Sequence, residues 1–230
     1  MIIYSNATDI IEESIKQLKW ENTSGMLDAR DEALDYYTYN NTMKYIDKYF
    51  SGTLQDEIPI YCVNLTKKLI NRISLVYKDA PIRNVENDAY AMLIEDKNFK
   101  MKKFERVHNL LGTIAVHIAW EDGKFKYNPV MNFVPVMDKM NPLKPVGITY
   151  PLNKATADWR NTDLDLYVYW SAEEHYMFDN TGKKYSINEG NENPYGVLPF
   201  VFVQPTHMVD EFFNEGAMDI PLGNKQIDVA

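Results

Sequence analysis

Gly112 separates two stretches of this 230-residue chain that follow different periods. Before it, apolar residues recur every three or four positions; after it, in "TIAVHIAWEDGKFKYNPV", they alternate. A period near 3.6 buries one stripe of a helix and a period of two buries one face of a strand, so the two stretches cannot share one kind of element. Residues 1–111 are therefore expected to be mainly helical and residues 112–217 β-rich, an α+β fold with an antiparallel sheet. With 45% hydrophobic and 25% charged residues the composition is that of a globular chain, which excludes wholesale disorder.

In the helical part, "NATDIIEESIKQL" offers Asn6 or Thr8 as a cap and Ile10, Ile11, Ile15 and Leu18 as an apolar stripe. A second helix is expected from near Ser24 to Ser51-Gly52, with Asp28, Asp31 and Glu32 early and Lys44 and Lys48 late, the order the helix dipole favours. A third, about Pro59 to Tyr77, would bury Leu65, Leu69, Ile73 and Val76 or Tyr77 before Pro81 stops it. Shorter helices follow over Glu86 to Ile94 and over Phe99 to Leu111, the latter with Phe104, Val107, His108 and Leu111 on one face. Beyond Gly112, Asp122-Gly123 marks a hairpin, and strands are expected at Phe133 to Met137, Val146 to Tyr150 and Leu164 to Trp170. A second hairpin turns at Asp179 to Gly182, and Val197 to Val203 reads as a buried strand.

The formal charge of −9 opposes tight binding to a phosphate backbone, which depends on Lys and Arg displacing counterions. Neither "GNENPYG" nor "GKKYS" has the spacing of a phosphate loop, and no G-x-S-x-G elbow is present. His108, His117, His175 and His207 are isolated and Cys62 is the single cysteine, so no metal set, cofactor motif or intrachain disulfide is expected. The carboxylates of "EDG", "DLDL", "AEEH" and "INEGNEN" read as solvated hairpin ends and turns; a carboxylate-dependent hydrolase would need such acids converging in a deep pocket. The run "KNFKMKKFER", with Lys97, Lys100, Lys102, Lys103 and Arg106, is either a solvated helix face or a basic contact for an acidic neighbour or DNA. The segment "MIIYSNATDIIEES" lacks the features of a secretory signal, and no apolar run is long enough to span a membrane.

Two features point instead to contacts. Tyr36, Tyr37, Tyr39, Tyr45 and Tyr49 cannot share one stripe at 3.6 residues per turn, so some are expected to face a neighbouring element, another subunit or solvent. In "MDIPLGNKQIDVA", Asp219 can cap a helix, Pro221 suits its first turn, and Leu222, Gln226, Ile227 and Ala230 mark one face. A helix that short, with Gly223 inside it, is marginal alone, so it is expected to need support and to be the start of a longer helix in a longer polypeptide. A third reading, a sheet-based binding or adhesion module, would display Trp120, Trp159 and Trp170 as a platform.

The order of these features resembles the amino-terminal part of tailed-bacteriophage portal proteins, also called connectors or head-to-tail joining proteins. The resemblance rests on the Tyr-rich helix running into "YIDKYFSGTL" and the Asn-led amphipathic "NLTKKLINRISLVYKDAPI" with its closing proline. It continues through "LLGTIAVHIAWEDGKFKYNPV" to "LPFVFV" and the "IPL" of Ile220 to Leu222. The family's corner often carries Gly before its Pro, whereas Tyr77-Lys78-Asp79-Ala80 has none.

The resemblance implies a peripheral wing over residues 1–217, with residues 218–230 entering the first stem helix. It implies no catalytic residue and no cofactor. It implies a homo-oligomeric ring of about twelve subunits at one capsid vertex. Partners would be the major capsid protein or scaffold, the large terminase, the head-tail adaptor and DNA passing transiently through the channel. The place of action would be the virion, after assembly in the host cytoplasm. Tyr36, Tyr37, Tyr39, Pro221, Lys225 and Gln226 are the candidate subunit-interface or stem-entry residues.

Overall fold

The computed structural model describes residues 2–3, 7–23, 26–39, 63–79, 81–82, 97–152, 166–187, 190–204, 212–213 and 216–229. The fold is α+β, as the change of period requires. Among the described residues its helices are α1 (Ala7–Thr23), α2 (Met26–Tyr39), α3 (Leu65–Ile73), α4 (Lys97–Leu111) and α5 (Asp219–Val229). Its strands are β1 (Ile2–Ile3), β2 (Ile114–Glu121), β3 (Lys124–Val130), β4 (Val134–Met137), β5 (Pro145–Pro151), β6 (Leu166–Ser171), β7 (His175–Asp179), β8 (Lys184–Ser186) and β9 (Phe200–Val203). One sheet runs β1-β4-β5-β6-β7-β8 and the other β3-β2-β9; every pairing is antiparallel except β1 on β4. Among the described residues no helix is long and apolar enough to cross a membrane.

Strand alternation dictates the layers. On β6, Tyr167 and Tyr169 join Val134, Val136, Tyr176 and Phe178 beneath Ile10, Ile11 and Leu18 of α1. Val168 and Trp170, one residue out of phase, point the other way and meet Ala115 and Phe200 of the second sheet. Ile114 and Val116 of β2 turn away from that seam and pack against Ala33, Ile70, Phe104, Val107, Leu110 and Leu111 of the helices. The order is therefore α1, large sheet, small sheet, helices α2 to α4. A one-residue slip of β2 or β6 would exchange the faces of each.

The period changes at a specific joint. Gly112 has φ 76°, a left-handed conformation that suits glycine, and its N–H closes α4 on the His108 carbonyl at 2.7 Å. His108 Nδ1 lies 2.8 Å from the Gly112 carbonyl and donates to it, holding the corner from its other side. Asp122 and Gly123, with φ 54° and 73°, form the tight β2–β3 turn. In the β7–β8 turn Asp179 accepts from the N–H groups of Thr181 and Lys183 and from the Tyr185 hydroxyl.

Three expectations are corrected. Within the described residues α3 begins at Leu65, because Asn64 Oδ1 accepts from Lys67 N–H at 2.7 Å and caps it there. It ends at Ile73 rather than Tyr77, since the Glu105 carboxylate takes the N–H groups of Val76 and Tyr77 at 2.8 and 3.0 Å. Its Leu69 and Ile73 are 46% and 50% exposed, while Thr66, Ile70 and Ser74 are buried, so the apolar stripe expected in the core faces outward. The strand expected from Val197 is the short β9, which lies at a sheet edge with Val201 exposed and is thus buried on one face only. Tyr45, Tyr49, Lys44, Lys48, Cys62, Trp159, His207, Ala230 and the helix expected over Glu86 to Ile94 lie outside the described residues.

Candidate functional site

The terminal helix α5 lies against α2 and α3 and is held there by polar side chains. Its buried positions are Pro221, Asn224 and Asp228, spaced to share one face. Tyr36 Oη of α2 donates to Asp228 Oδ2, and Asn224 Nδ2 donates to the same oxygen at 3.1 Å. Asn224 Nδ2 also reaches the Val63 carbonyl at 3.0 Å, and its Oδ1 accepts from the N–H and Oγ1 of Thr66 at 2.9 and 3.1 Å. Every polar group that α5 buries in this cluster thereby finds a partner, and burial of unmatched groups is avoided. The expected apolar face is the one left outside: Leu222 and Ile227 are 57% and 62% exposed.

Two of the candidate contact residues thus meet inside the molecule. Lys225 pairs with Glu32 and stands 5.8 Å from the centroid of the Tyr36 ring, and burial lowers its pKa to about 8. Tyr36 and Pro221 are buried in the joint and so present no surface for another subunit. Tyr37 is half-buried and donates to Asn71 Oδ1 at 3.0 Å; burial raises its pKa, which Arg106 partly offsets. Tyr39 and Gln226 remain exposed.

The basic run of α4 is divided by the fold. Lys100 sits 5.4 Å from the Tyr127 ring and Arg106 turns to Tyr37, so both are engaged internally. Lys103 is exposed, and Lys97 and Lys102 are partly so. The run is therefore not one continuous basic contact face.

Arg30 and Gly216, which sequence patterns did not single out, fix the frame behind this joint. The buried Arg30 guanidinium donates to the carbonyls of Leu111, Thr113 and Met131 at 2.8, 2.9 and 2.7 Å, tying α2 to the Gly112 corner and to the end of β3. Gly216 passes so near this corner that a Cβ there would lie 2.3 Å from Gly112 N and 2.4 Å from the Leu110 carbonyl oxygen. Nothing local in the sequence marks either contact, because each joins residues far apart in the chain.

A second feature is a cleft of about 920 Å³ where the two sheets meet, walled by His117, Glu121, Tyr150, Trp170, His175 and Tyr195 among others. Trp170 is 5% exposed; the His175 ring stacks on it at 3.3 Å, and His117 bridges it to Phe200 with centroid distances of 5.1 and 4.8 Å. Burial lowers the pKa of both imidazoles, that of His175 to about 4. Of the tryptophans proposed as a platform, Trp170 is thus core and Trp120 lies half-exposed with its ring edge on Phe125.

Carboxylates do not converge in this cleft as hydrolysis would require: its described acids are Asp31, bonded by Asn132, and Glu121, paired with Lys126. Asp179 lies elsewhere. Burial raises its pKa, but the stronger combined effect of its hydrogen bonds from Thr181, Tyr185 and Lys183 brings it to about 2. Among the described residues no group of three or more His, Cys, Asp and Glu side chains is placed to hold a metal. No protein-family model matches this chain, and no curated protein matches it at a significant level.

Proposed function

We propose that this chain acts as a portal subunit of a tailed bacteriophage, with α1 to α4 and the two sheets as the wing and α5 as the entry to the stem. The observation that carries the proposal is the orientation of α5 and α3. Helix α3 is anchored by Ile70 with Thr66 and Ser74 beside it, and α5 by Pro221, Asn224 and Asp228, while Leu222, Ile227, Leu69 and Ile73 stay exposed. A monomer gains nothing by exposing apolar side chains on helices that could bury them, whereas a neighbouring subunit can cover them. The order of helices, hairpin, sheets and "IPL" helix start supports the same reading through the family resemblance.

The role is mechanical. Subunits would close a ring at one capsid vertex, through which DNA passes during packaging and ejection, with the terminase and the tail adaptor docking in turn. A net charge of −9 suits a channel wall past which DNA slides, because tight grip needs released counterions and basic side chains. Polar anchoring suits a stem entry, since it fixes register without consuming the apolar face that neighbours need. Negative-stain microscopy of the natural gene product tests the reading: closed rings are expected, and dispersed single subunits at micromolar concentration would refute it.

A further inference from the structure

Lys68 and Arg72 stand one turn apart on the exposed face of α3, with Lys67 exposed next to Lys68 and with Leu69 and Ile73 forming an apolar row alongside. Like charges four residues apart repel, and Lys67 and Lys68 lie in the first turn, where the helix dipole disfavours cations. Helix α3 contains no acidic residue, and among the described residues none of these three cations has an ion-pair partner.

A surface of the opposite sign occupies the β6–β7 turn. Glu174 faces Glu192 across an isolated antiparallel bridge, and Glu173 is exposed next to it. Like charges directly opposite each other across paired strands are destabilising, and among the described residues these three carboxylates have no ion-pair partner either. Asn193 ties the turn to Val197 through the carbonyls of Ser171 and Val197, and the Val197 side chain adds exposed apolar surface.

The two surfaces sit at opposite ends of β2. Ser74, just past α3, accepts from Asn109 Nδ2 at 2.9 Å near the Gly112 corner, whereas Tyr195, three residues after Glu192, accepts from Trp120 N–H at 3.3 Å. Along an extended strand, Gly112 and Trp120 are separated by roughly 25 Å. Each copy therefore carries repelling cations at one end and repelling carboxylates at the other, and a second copy can relieve both.

We propose that the Lys68 and Arg72 face of α3 docks the Glu173, Glu174 and Glu192 turn of a second copy of this chain, a pairing that rests on the proposed ring. The contact joins two different surfaces, so it is heterologous and leaves one face of each kind open until the ring closes. Val197 then covers part of the Leu69 and Ile73 row beside the ion pairs.

Sedimentation velocity of the full chain with charge-reversed variants tests the pairing. Lys68→Glu with Arg72→Glu is expected to weaken self-association at least about ten-fold, and so is Glu173→Lys with Glu192→Lys, because each variant meets its own copies with like charges. An equal mixture of the two variants is expected to assemble again, since every contact in an alternating array pairs opposite charges; a variant that had merely misfolded would not be rescued. If either variant assembles like the parent, or if the mixture of two monomeric variants stays monomeric, the pairing is overturned while the ring reading stands. A parent that is itself monomeric at micromolar concentration overturns both.

Discussion

Tyr36 on α2 gives its hydroxyl hydrogen to the carboxylate of Asp228 on α5, joining residues 192 positions apart in a buried contact. Asp228 also accepts from Asn224, so losing Tyr36 alone leaves the carboxylate partnered. Tyr36→Phe is expected to destabilise the fold by about 1 kcal/mol and Asp228→Ala by roughly 3 kcal/mol, because the latter strands both a phenol and an amide. A double-mutant cycle in urea should give a coupling above about 0.5 kcal/mol, and additive effects would show that the two residues do not act together.

Arg30 supplies the frame for that joint. Replacing it with Met keeps much of the volume but leaves the carbonyls of Leu111, Thr113 and Met131 without this donor in a buried corner. The expected loss is roughly 3–5 kcal/mol, and Arg30→Lys should recover only part of it, since one ammonium cannot reproduce the planar fork. Equal stability of Arg30→Met and the parent in chemical unfolding would contradict this.

Gly216→Ala is a minimal steric probe. The added methyl would occupy space held by the backbone of Leu110 and Gly112, which cannot rotate aside. A destabilisation of about 2 kcal/mol or more is expected, whereas Gly223→Ala, whose Cβ position is open and helical, should stabilise by roughly 0.4–1 kcal/mol.

Acid should weaken the seam between the sheets. His175 has its pKa lowered to about 4 in the folded chain by burial, with a further contribution from His117, against about 6.5 unfolded. Between these values the unfolded chain binds more protons, so the stabilisation is present above pH 6.5 and falls as pH drops toward 4. Between pH 7 and 4.5 His175 should account for about 2 kcal/mol of lost stability. His175→Gln should flatten that part of the urea-midpoint profile; an unchanged slope would exclude His175 as its source.

Much of the frame is legible locally. The change of period at Gly112, both Gly-containing hairpins and the Ile10, Ile11 and Leu18 stripe of α1 follow from near-neighbour patterns, and the fold keeps them. The orientation of α3 and α5 does not. Apolar spacing favours burying Leu69 and Ile73, or Leu222 and Ile227, but Thr66, Asn224 and Asp228 match one another's hydrogen bonds only when the two helices meet. That complementarity spans 158 residues and leaves no periodic trace. The parallel docking of Ile2–Ile3 on β4, too short for any alternation, is invisible for the same reason.

The exposed stripe offers a surface test. Leu69→Asp together with Ile73→Asp should change the stability of the subunit by less than about 1 kcal/mol, because both positions are half-exposed. The same pair should abolish self-association if neighbours cover α3. Rings that persist in the double variant would place the subunit contact elsewhere.

Native mass spectrometry of the natural gene product tests the central claim most directly, since subunit mass and assembly mass come from one sample. The portal reading predicts a single closed assembly of about twelve identical subunits that survives dilution to micromolar concentration. A monomer, or a dimer that grows no further, would contradict it.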